Sequence, residues 1–106
     1  MKIVIAGAGQ VGSYLAKTLS RESNEITVID TDAKRLSALT SVADVVAIQG
    51  NPTSIKIQKD AGVARADLFV AVNPYVPQEV NLVCAILAKN LGAVSSPSAR
   101  LFTERV

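Results

Sequence analysis

The sequence predicts a doubly wound α/β fold, with about five parallel strands in the order 3-2-1-4-5 and helices on both faces. Three observations lead to this prediction. Short apolar segments alternate with helical patterns from one end of the 106-residue chain to the other. A glycine-rich turn directly follows the first of these segments, and an acidic residue ends the second. Successive strands joined through helices pair in parallel, which gives this topology.

The first strand and the turn after it are the centre of this prediction. An apolar run from Lys2 to Ala6 is too short for a helix, and Gly7-Ala8-Gly9-Gln10-Val11-Gly12 follows it directly. Glycine at the first position permits the sharp turn, at the second lets backbone approach a pyrophosphate, and at the third lets helix and strand pack closely. The unpaired N–H groups of the new helix then face the phosphates. The turn therefore predicts a Rossmann-like dinucleotide site.

The second strand supplies the acid that such a site requires. Ile26-Thr27-Val28-Ile29 is β-branched throughout, and Asp30 ends it, eighteen residues after Gly12. In a βαβ unit this end lies beside the glycine turn, so the carboxylate can accept hydrogen bonds from both ribose hydroxyls of an adenosine. A 2′-phosphate would meet repulsion, which favours NAD(H) over NADP(H). The alternative is that Asp30 only opens a turn and that Asp32 caps the next helix.

Two helices flank the second strand. The first runs to about Ser20, with Val11, Leu15 and Leu19 beside Ala16 on its buried face. The second begins at Asp32 and buries Leu36 and Leu39. Arg35 lies in its first turn, where a cation opposes the helix dipole. Two interpretations of Arg35 stay open, a contact with adenine or phosphate and a solvated side chain.

The third strand, Asp44 to Gln49, is almost wholly apolar, which predicts burial on both faces. The loop Gly50-Asn51-Pro52-Thr53-Ser54 follows at the carboxyl edge of the sheet, and places Asn51 on the same edge as Gly9 and Asp30. Thr53 or Ser54 is expected to cap a helix from Ile55 to Ala61, which Gly62 ends.

The fourth strand, Asp67 to Val72, leads into Asn73 and a loop that two prolines stiffen. Asn73 either bonds a ligand or makes a local turn. Pro77 suits the first position of a longer helix from Gln78 to about Leu91. Apolar residues cover more than one face of this helix, so we expect it to be sandwiched inside the fold or shared with another subunit. Cys84 within it is expected to be a small core residue.

A fifth strand is expected over Ala99-Arg100-Leu101-Phe102. Arg100 in a strand among buried neighbours needs an anionic partner or an edge. Three partners stay open: a cofactor phosphate, a carboxylate across a subunit boundary, and solvent.

Composition narrows the class of protein. The chain is long enough for one domain, and its net charge of +2 is too small to indicate a nucleic-acid partner. No apolar run reaches the length of a membrane span, and no signal sequence precedes the first strand, so a cytoplasmic location is expected. The absence of histidine, with a single cysteine, argues against a metal site, a catalytic triad and an internal disulfide.

The chain resembles the TrkA-type RCK (KTN) domains that regulate potassium transport. The residues that carry the resemblance follow the chain in order: the glycine turn after Met1-Lys2-Ile3-Val4-Ile5-Ala6, Ile26-Thr27-Val28-Ile29-Asp30-Thr31-Asp32, Gln49-Gly50-Asn51, Ala61-Gly62, Ala66-Asp67-Leu68-Phe69-Val70-Ala71-Val72 and Glu79-Val80-Asn81. The resemblance extends over nearly the whole chain. It implies an N-terminal NAD-binding domain, residues 1–106, that is a fragment of a longer protein.

The resemblance also implies a site and a function. By position, Gly7, Ala8, Gly9, Gln10 and Val11 would hold the pyrophosphate, Asp30 the ribose, Asn51 and Asn73 the rim, and Arg100 would reach the nucleotide. NAD, with ATP or ADP as further ligands, would control a membrane-embedded potassium transporter through a homo-oligomer, a dimer or a larger ring, at the inner face of the cell membrane. No catalysis is expected.

Two other functions are weaker predictions. The cofactor domain of an NAD-dependent dehydrogenase would need a substrate domain and a catalytic base, and this chain has neither room nor histidine for them. An interaction module that has lost its nucleotide would show a broken glycine turn, whereas this turn is intact.

Overall fold

A parallel five-stranded sheet forms the centre of the computed structural model, which describes residues 1–93 and the backbone of residues 100–103. The strands are β1 Lys2–Ala6, β2 Glu25–Asp30, β3 Val46–Gln49, β4 Leu68–Ala71 and β5 Arg100–Thr103. They lie in the order β3-β2-β1-β4-β5, and each pair of neighbours is parallel. The predicted fold class and strand order are therefore confirmed.

Four α-helices and one 3-10 turn connect the strands. They are α1 Gln10–Ser20, α2 Ala33–Thr40, α3 Ile55–Asp60, the 3-10 turn Val63–Arg65 and α4 Gln78–Asn90. Side chains of Asp32 and Ser54 accept backbone hydrogen bonds at the starts of α2 and α3, as N-caps do. Pro77 is the N-cap of α4 and not its first helical residue. Within residues 1–93 and 100–103, no helix is long and apolar enough to span a membrane.

Two apolar layers cover the sheet, one on each face. In β1, Val4 and Ala6 point into a layer shared with α4 and the segment after α3, whereas Ile3 and Ile5 point into a layer shared with α1 and α2. Alternation along a strand produces this division, because successive side chains point to opposite faces. The central strands of the sheet are therefore covered by apolar side chains on both faces.

The structure corrects two predictions about burial. The third strand was expected to be buried on both faces, but β3 is an edge strand and Val46 is 57% exposed. An edge strand has a neighbour on one side only, so adjacent layers cover it incompletely. Val11 was assigned to the buried face of α1 and is 45% exposed. The buried stripe runs instead through Gly12 and Ala16, because only small residues fit where α1 lies so close to β1.

Helix α4 is half covered. Its buried residues are Asn81, Cys84, Ala85 and Ala88. Burial raises the pKa of the Cys84 thiol to about 11, so this residue is an unreactive part of the core, as the sequence predicted. Leu82, Val83 and Ile86 lie on the opposite side and are about half exposed. The sequence left two arrangements open for this helix, burial inside the fold and contact with another subunit. The exposure of these three residues excludes the first.

Candidate functional site

The carboxyl edge of the sheet brings together the glycine turn and the ends of β2, β3 and β4. The N–H group of Gly7 donates to the carbonyl oxygen of Ile29 over 2.8 Å, and that of Gly50 donates to the carbonyl oxygen of Asp30 over 3.0 Å. These bonds continue the sheet ladder beyond the strands. The loops that carry the predicted residues therefore start from neighbouring, rigid positions, as the topology requires.

Other parts of the chain closely approach Gly7 and Gly9 of the turn. Gly7 adopts φ of +122°, which L-residues rarely adopt, and a Cβ there would lie 2.9 Å from the Asn73 backbone. A Cβ on Gly9 would lie 2.9 Å from the ring of Pro74. The loop after β4 thus packs directly against the turn. In this contact the turn contributes the backbone of Gly7 and Gly9.

Helix α1 begins at Gln10, immediately after the turn, so the positive end of its dipole lies at this edge. Its first turn contains no acidic residue that would oppose an anion. The Ser13 hydroxyl donates to the carbonyl oxygen of Ala8 over 3.0 Å and fixes the turn against the helix. The arrangement is suited to binding a phosphate group.

Asp30 is fully buried at the end of β2 and accepts four hydrogen bonds. Two come from backbone N–H groups, Ala8 to Oδ2 over 2.7 Å and Asp32 to Oδ1 over 2.8 Å. Two come from Arg35, Nη2 to Oδ1 over 2.9 Å and Nε to Oδ2 over 3.4 Å. Burial by itself raises the pKa of the carboxyl, but these hydrogen bonds outweigh it and hold the pKa below its ordinary value.

Asp30 lies beside the glycine turn, as the sequence predicted for one βαβ unit, and the hydrogen bond from Ala8 joins the two. The alternative interpretation of Asp30 is also present in the structure. Asp30 closes the turn to Asp32, and Asp32 caps α2 through the N–H groups of Lys34 and Arg35.

Arg35 is not the solvated side chain that the sequence left as one alternative, and a contact with adenine or phosphate stays a prediction. Its guanidinium binds Asp30, lies 3.2 Å from Asp32 Oδ2, and stacks 4.1 Å from the centre of the Tyr75 ring. Hydrogen bonding to Asp30 raises the pKa of Arg35 above its ordinary value, so the cation is permanent. The sequence offered no signal for the contact with Tyr75, which is forty positions away along the chain.

Two adjoining clefts open beside the glycine turn. The larger, about 380 Å³, lies between the turn and the outer face of α1, with Tyr75 at its border. The smaller, about 170 Å³, extends towards Arg35 and Leu39 of α2. Both share Ala8, Ser13 and Lys17. Lys17, in the last turn of α1, therefore adds a cation to the lining of both clefts.

Asn51 and Asn73 lie on the predicted edge but use their side-chain oxygens locally. Asn51 Oδ1 accepts from the N–H group and the hydroxyl of Thr53. Asn73 Oδ1 accepts from the N–H group of Tyr75 over 3.0 Å, and the Asn73 backbone is held by the side chain of Asn81. Neither is among the described residues that line the two clefts. Asn73 thus makes the local turn that the sequence left as one alternative.

Arg100 lies apart from the other predicted site residues along the backbone. It begins β5 and pairs with Leu68 at the start of β4, whereas Asn73 follows the end of β4. The side chain of Arg100 falls outside the described part of the chain. The three partners considered for it stay predictions.

Comparison with known proteins identifies the family. The model of the TrkA-N domain family matches residues 3–101. The chain is 42% identical over 101 residues to the Trk system potassium uptake protein TrkA of Haemophilus influenzae, covering 95% of this chain and 22% of that protein. It is 45% identical over 93 residues to the TrkA homolog of Archaeoglobus fulgidus, covering 88% of this chain and 20% of that protein. The chain thus spans about a fifth of the length of these relatives.

Solved structures agree on the fold. The Kef CTD of Shewanella denitrificans in AMP-bound form superposes with a TM-score of 0.71 at 19% identity, over 97% of this chain and 58% of that one. The GsuK channel gives a TM-score of 0.75 at 16% identity, over 96% of this chain and 17% of that one. A short-chain dehydrogenase/reductase of Serratia marcescens gives 0.74 at 18% identity, over 99% of this chain and 57% of that one. With the family match over nearly its whole length, the chain belongs to the TrkA-N domain family.

Proposed function

We propose that this chain is the nucleotide-binding domain of a regulatory subunit that controls a membrane-embedded potassium transporter. NAD(+) or NADH is the primary ligand, and ATP and ADP are further candidates. The observation that carries the proposal is the hydrogen bond from Ala8 to Asp30, which joins the glycine turn, proposed to bind the phosphates, to the carboxylate proposed to bind the ribose. The relatives named as Trk potassium uptake proteins, and the neighbour crystallised with AMP, support the class of protein and the class of ligand.

The site would bind the nucleotide in two parts. The backbone of residues 7–11 and the N-terminus of α1 hold the pyrophosphate, and Lys17 adds a positive charge at the cleft. Asp30 accepts the ribose hydroxyls. Asn51, Asn73 and Arg100 stay candidates for the rim of the site. Nothing in this arrangement calls for a general base, so the proposed role is ligand-dependent regulation and not catalysis.

Control of a transporter requires two arrangements of the domain that differ in nucleotide affinity, because a ligand that binds both equally shifts neither. Since the chain spans about a fifth of its relatives, we propose that it is the N-terminal part of a longer subunit. That subunit would be cytoplasmic and would attach to the inner face of the membrane through the transporter.

The proposed binding is tested by calorimetric titration of the purified chain with NAD(+), NADH, ATP and NADPH. Gly9→Val should abolish binding, because its side chain would enter the space between the turn and Pro74. Ala64→Val enlarges an exposed side chain in the 3-10 turn before β4, at the amino edge of the sheet, and this variant should bind as the parent does. Asp30→Ala should remove the preference for NADH over NADPH, since the repelling charge is gone.

The outcomes separate the parts of the proposal. If the parent chain binds none of the four nucleotides, the proposed function is wrong. Binding that survives Gly9→Val would show that the glycine turn is not part of the binding site. Turnover of NADH would favour the dehydrogenase alternative. An unchanged preference in Asp30→Ala would exclude the ribose assignment.

We propose a homo-oligomer that forms through the exposed face of α4. Ile86 lies four residues after Leu82 and three after Val83, so these three exposed residues form one apolar stripe. Exposed Glu79 and Lys89 lie at its two ends. If two copies pair α4 antiparallel around a two-fold axis, each Glu79 meets a Lys89, so the surface is complementary to itself.

Ile86→Glu should therefore shift the chain towards monomer in sedimentation equilibrium, because a carboxylate would be buried in the apolar contact. Val42→Glu, at an exposed apolar residue away from α4, is the matched control and should leave the association unchanged. Glu79→Lys alone should weaken the association. The double variant Glu79→Lys with Lys89→Glu should associate as the parent does. A parent chain that is monomeric at all concentrations would contradict this assignment.

A further inference from the structure

The Asp30 carboxylate has no free acceptor position in this structure. Each carboxylate oxygen offers two lone pairs, and each accepts one backbone N–H and one guanidinium N–H. The side chain is fully buried, whereas Arg35 is 26% exposed and lines the smaller cleft. Arg35 therefore lies between the carboxylate and the cleft from which a nucleotide would approach.

The four hydrogen bonds differ in what their loss would entail. Those from Ala8 and Asp32 hold the glycine turn and the entry to α2, so breaking them disturbs the fold. Those from Arg35 come from a partly exposed side chain, and Asp32 remains as an anionic partner for Arg35 when they are given up. The two guanidinium bonds are thus the ones that a ligand can replace.

We propose that Arg35 is an internal competitor for the ribose, a role that rests on the proposed function of the site. Its two N–H donors occupy the acceptor positions on Asp30 that the 2′- and 3′-hydroxyl groups of an adenosine would take. Nucleotide binding exchanges one pair of donors for the other and moves Arg35 away from Asp30. Arg35 thereby sets the affinity of the site, because a ligand binds only to the fraction of molecules in which Asp30 is free.

Replacement of the Arg35 donors on Asp30 by ribose hydroxyls would also affect the loop after β4. Arg35 stacks on Tyr75, and Pro74 of the same loop rests on Gly9. This loop leads directly into α4. Displacement of Arg35 therefore alters a contact that holds the loop over the glycine turn, and it connects ribose binding to the helix that carries the exposed apolar stripe.

The test measures binding of ADP and of 2′,3′-dideoxy-ADP to the parent chain and to Arg35→Met. Methionine retains most of the apolar stem but removes all donors. ADP should bind the variant about tenfold more tightly, the factor expected when a competing charge-assisted hydrogen bond is lost. The dideoxy analogue, which has no hydroxyls to offer Asp30, should not gain. Lys34→Met removes the same charge from the neighbouring exposed position and controls for electrostatic attraction of the phosphates.

Each outcome decides the matter. ADP binding that is unchanged in Arg35→Met, or weakened beyond the loss seen in Lys34→Met, overturns the proposal, and the second result would make Arg35 a ligand contact. Equal tightening of both ligands also overturns it, because the variant would then only have widened the cleft. Absence of ADP binding in the parent and in both variants would overturn the competitor role, whereas the proposed function is wrong only if NAD(+), NADH, ATP and NADPH also fail to bind the parent.

Discussion

Replacing Gly12 by alanine should lower the free energy of unfolding by about 3 kcal/mol or more, as expected when atoms are forced into packed backbone. A Cβ on Gly12 would overlap the carbonyl oxygen of Gly7 and lie 2.9 Å from its carbonyl carbon. The obstacle cannot move aside, because Gly7 donates to Ile29 within the sheet ladder. Urea denaturation followed by circular dichroism measures the loss.

Gly9→Ala is the matched control for this prediction. Gly9 has φ of −74°, which any residue can adopt, and its new Cβ would meet ring atoms of Pro74 in a surface loop. A loop side chain can yield where sheet backbone cannot, so we expect a change of at most about 1 kcal/mol. Equal destabilisation by the two variants would show that α1 is not packed on β1 as closely as described.

Asp30→Asn should destabilise the fold by about 2–3 kcal/mol at neutral pH, the range for removing one partner of a buried charged pair with partial solvent access. The amide nitrogen cannot accept, so it faces donors from Ala8 or Asp32, and Arg35 loses the buried one of its two anionic partners. Asp32→Asn is the control, because this side chain is 38% exposed and asparagine caps a helix as well as aspartate does. That variant should lose less than about 1 kcal/mol.

The ionisation of Asp30 should also make the stability of the parent chain depend on pH. The folded-state pKa of Asp30 lies below its ordinary value of 3.8, so its ionised form stabilises the fold above that pH. This contribution disappears as the pH falls through the lowered pKa, where the carboxyl becomes protonated. Stability measured from neutral pH down to about pH 3 should therefore fall more steeply for the parent than for Asp30→Asn. Parallel curves would mean that Asp30 has the same pKa folded and unfolded.

Local sequence patterns predicted the elements that lead to the site. The glycine turn, β2 and Asp30 could be recognised because strand alternation, turn chemistry and the spacing of one βαβ unit act over short distances along the chain. The Ala8 to Asp30 hydrogen bond follows from that unit. The exposure of β3 and of Val11 could not be recognised in the same way, because burial depends on which neighbours a segment acquires in the folded chain.

By itself, the sequence determined the parallel sheet, its strand order, the glycine turn and the acid beside it, all of which rest on local backbone preferences and short connections. Only the tertiary structure decided that Arg35 covers Asp30 and stacks on Tyr75, and that α4 leaves an apolar stripe exposed. The contact between Arg35 and Tyr75 joins residues forty positions apart, and the exposure of α4 depends on what the rest of the fold covers. Side-chain geometry and packing select them, and neither is encoded in the periodicity of a single segment.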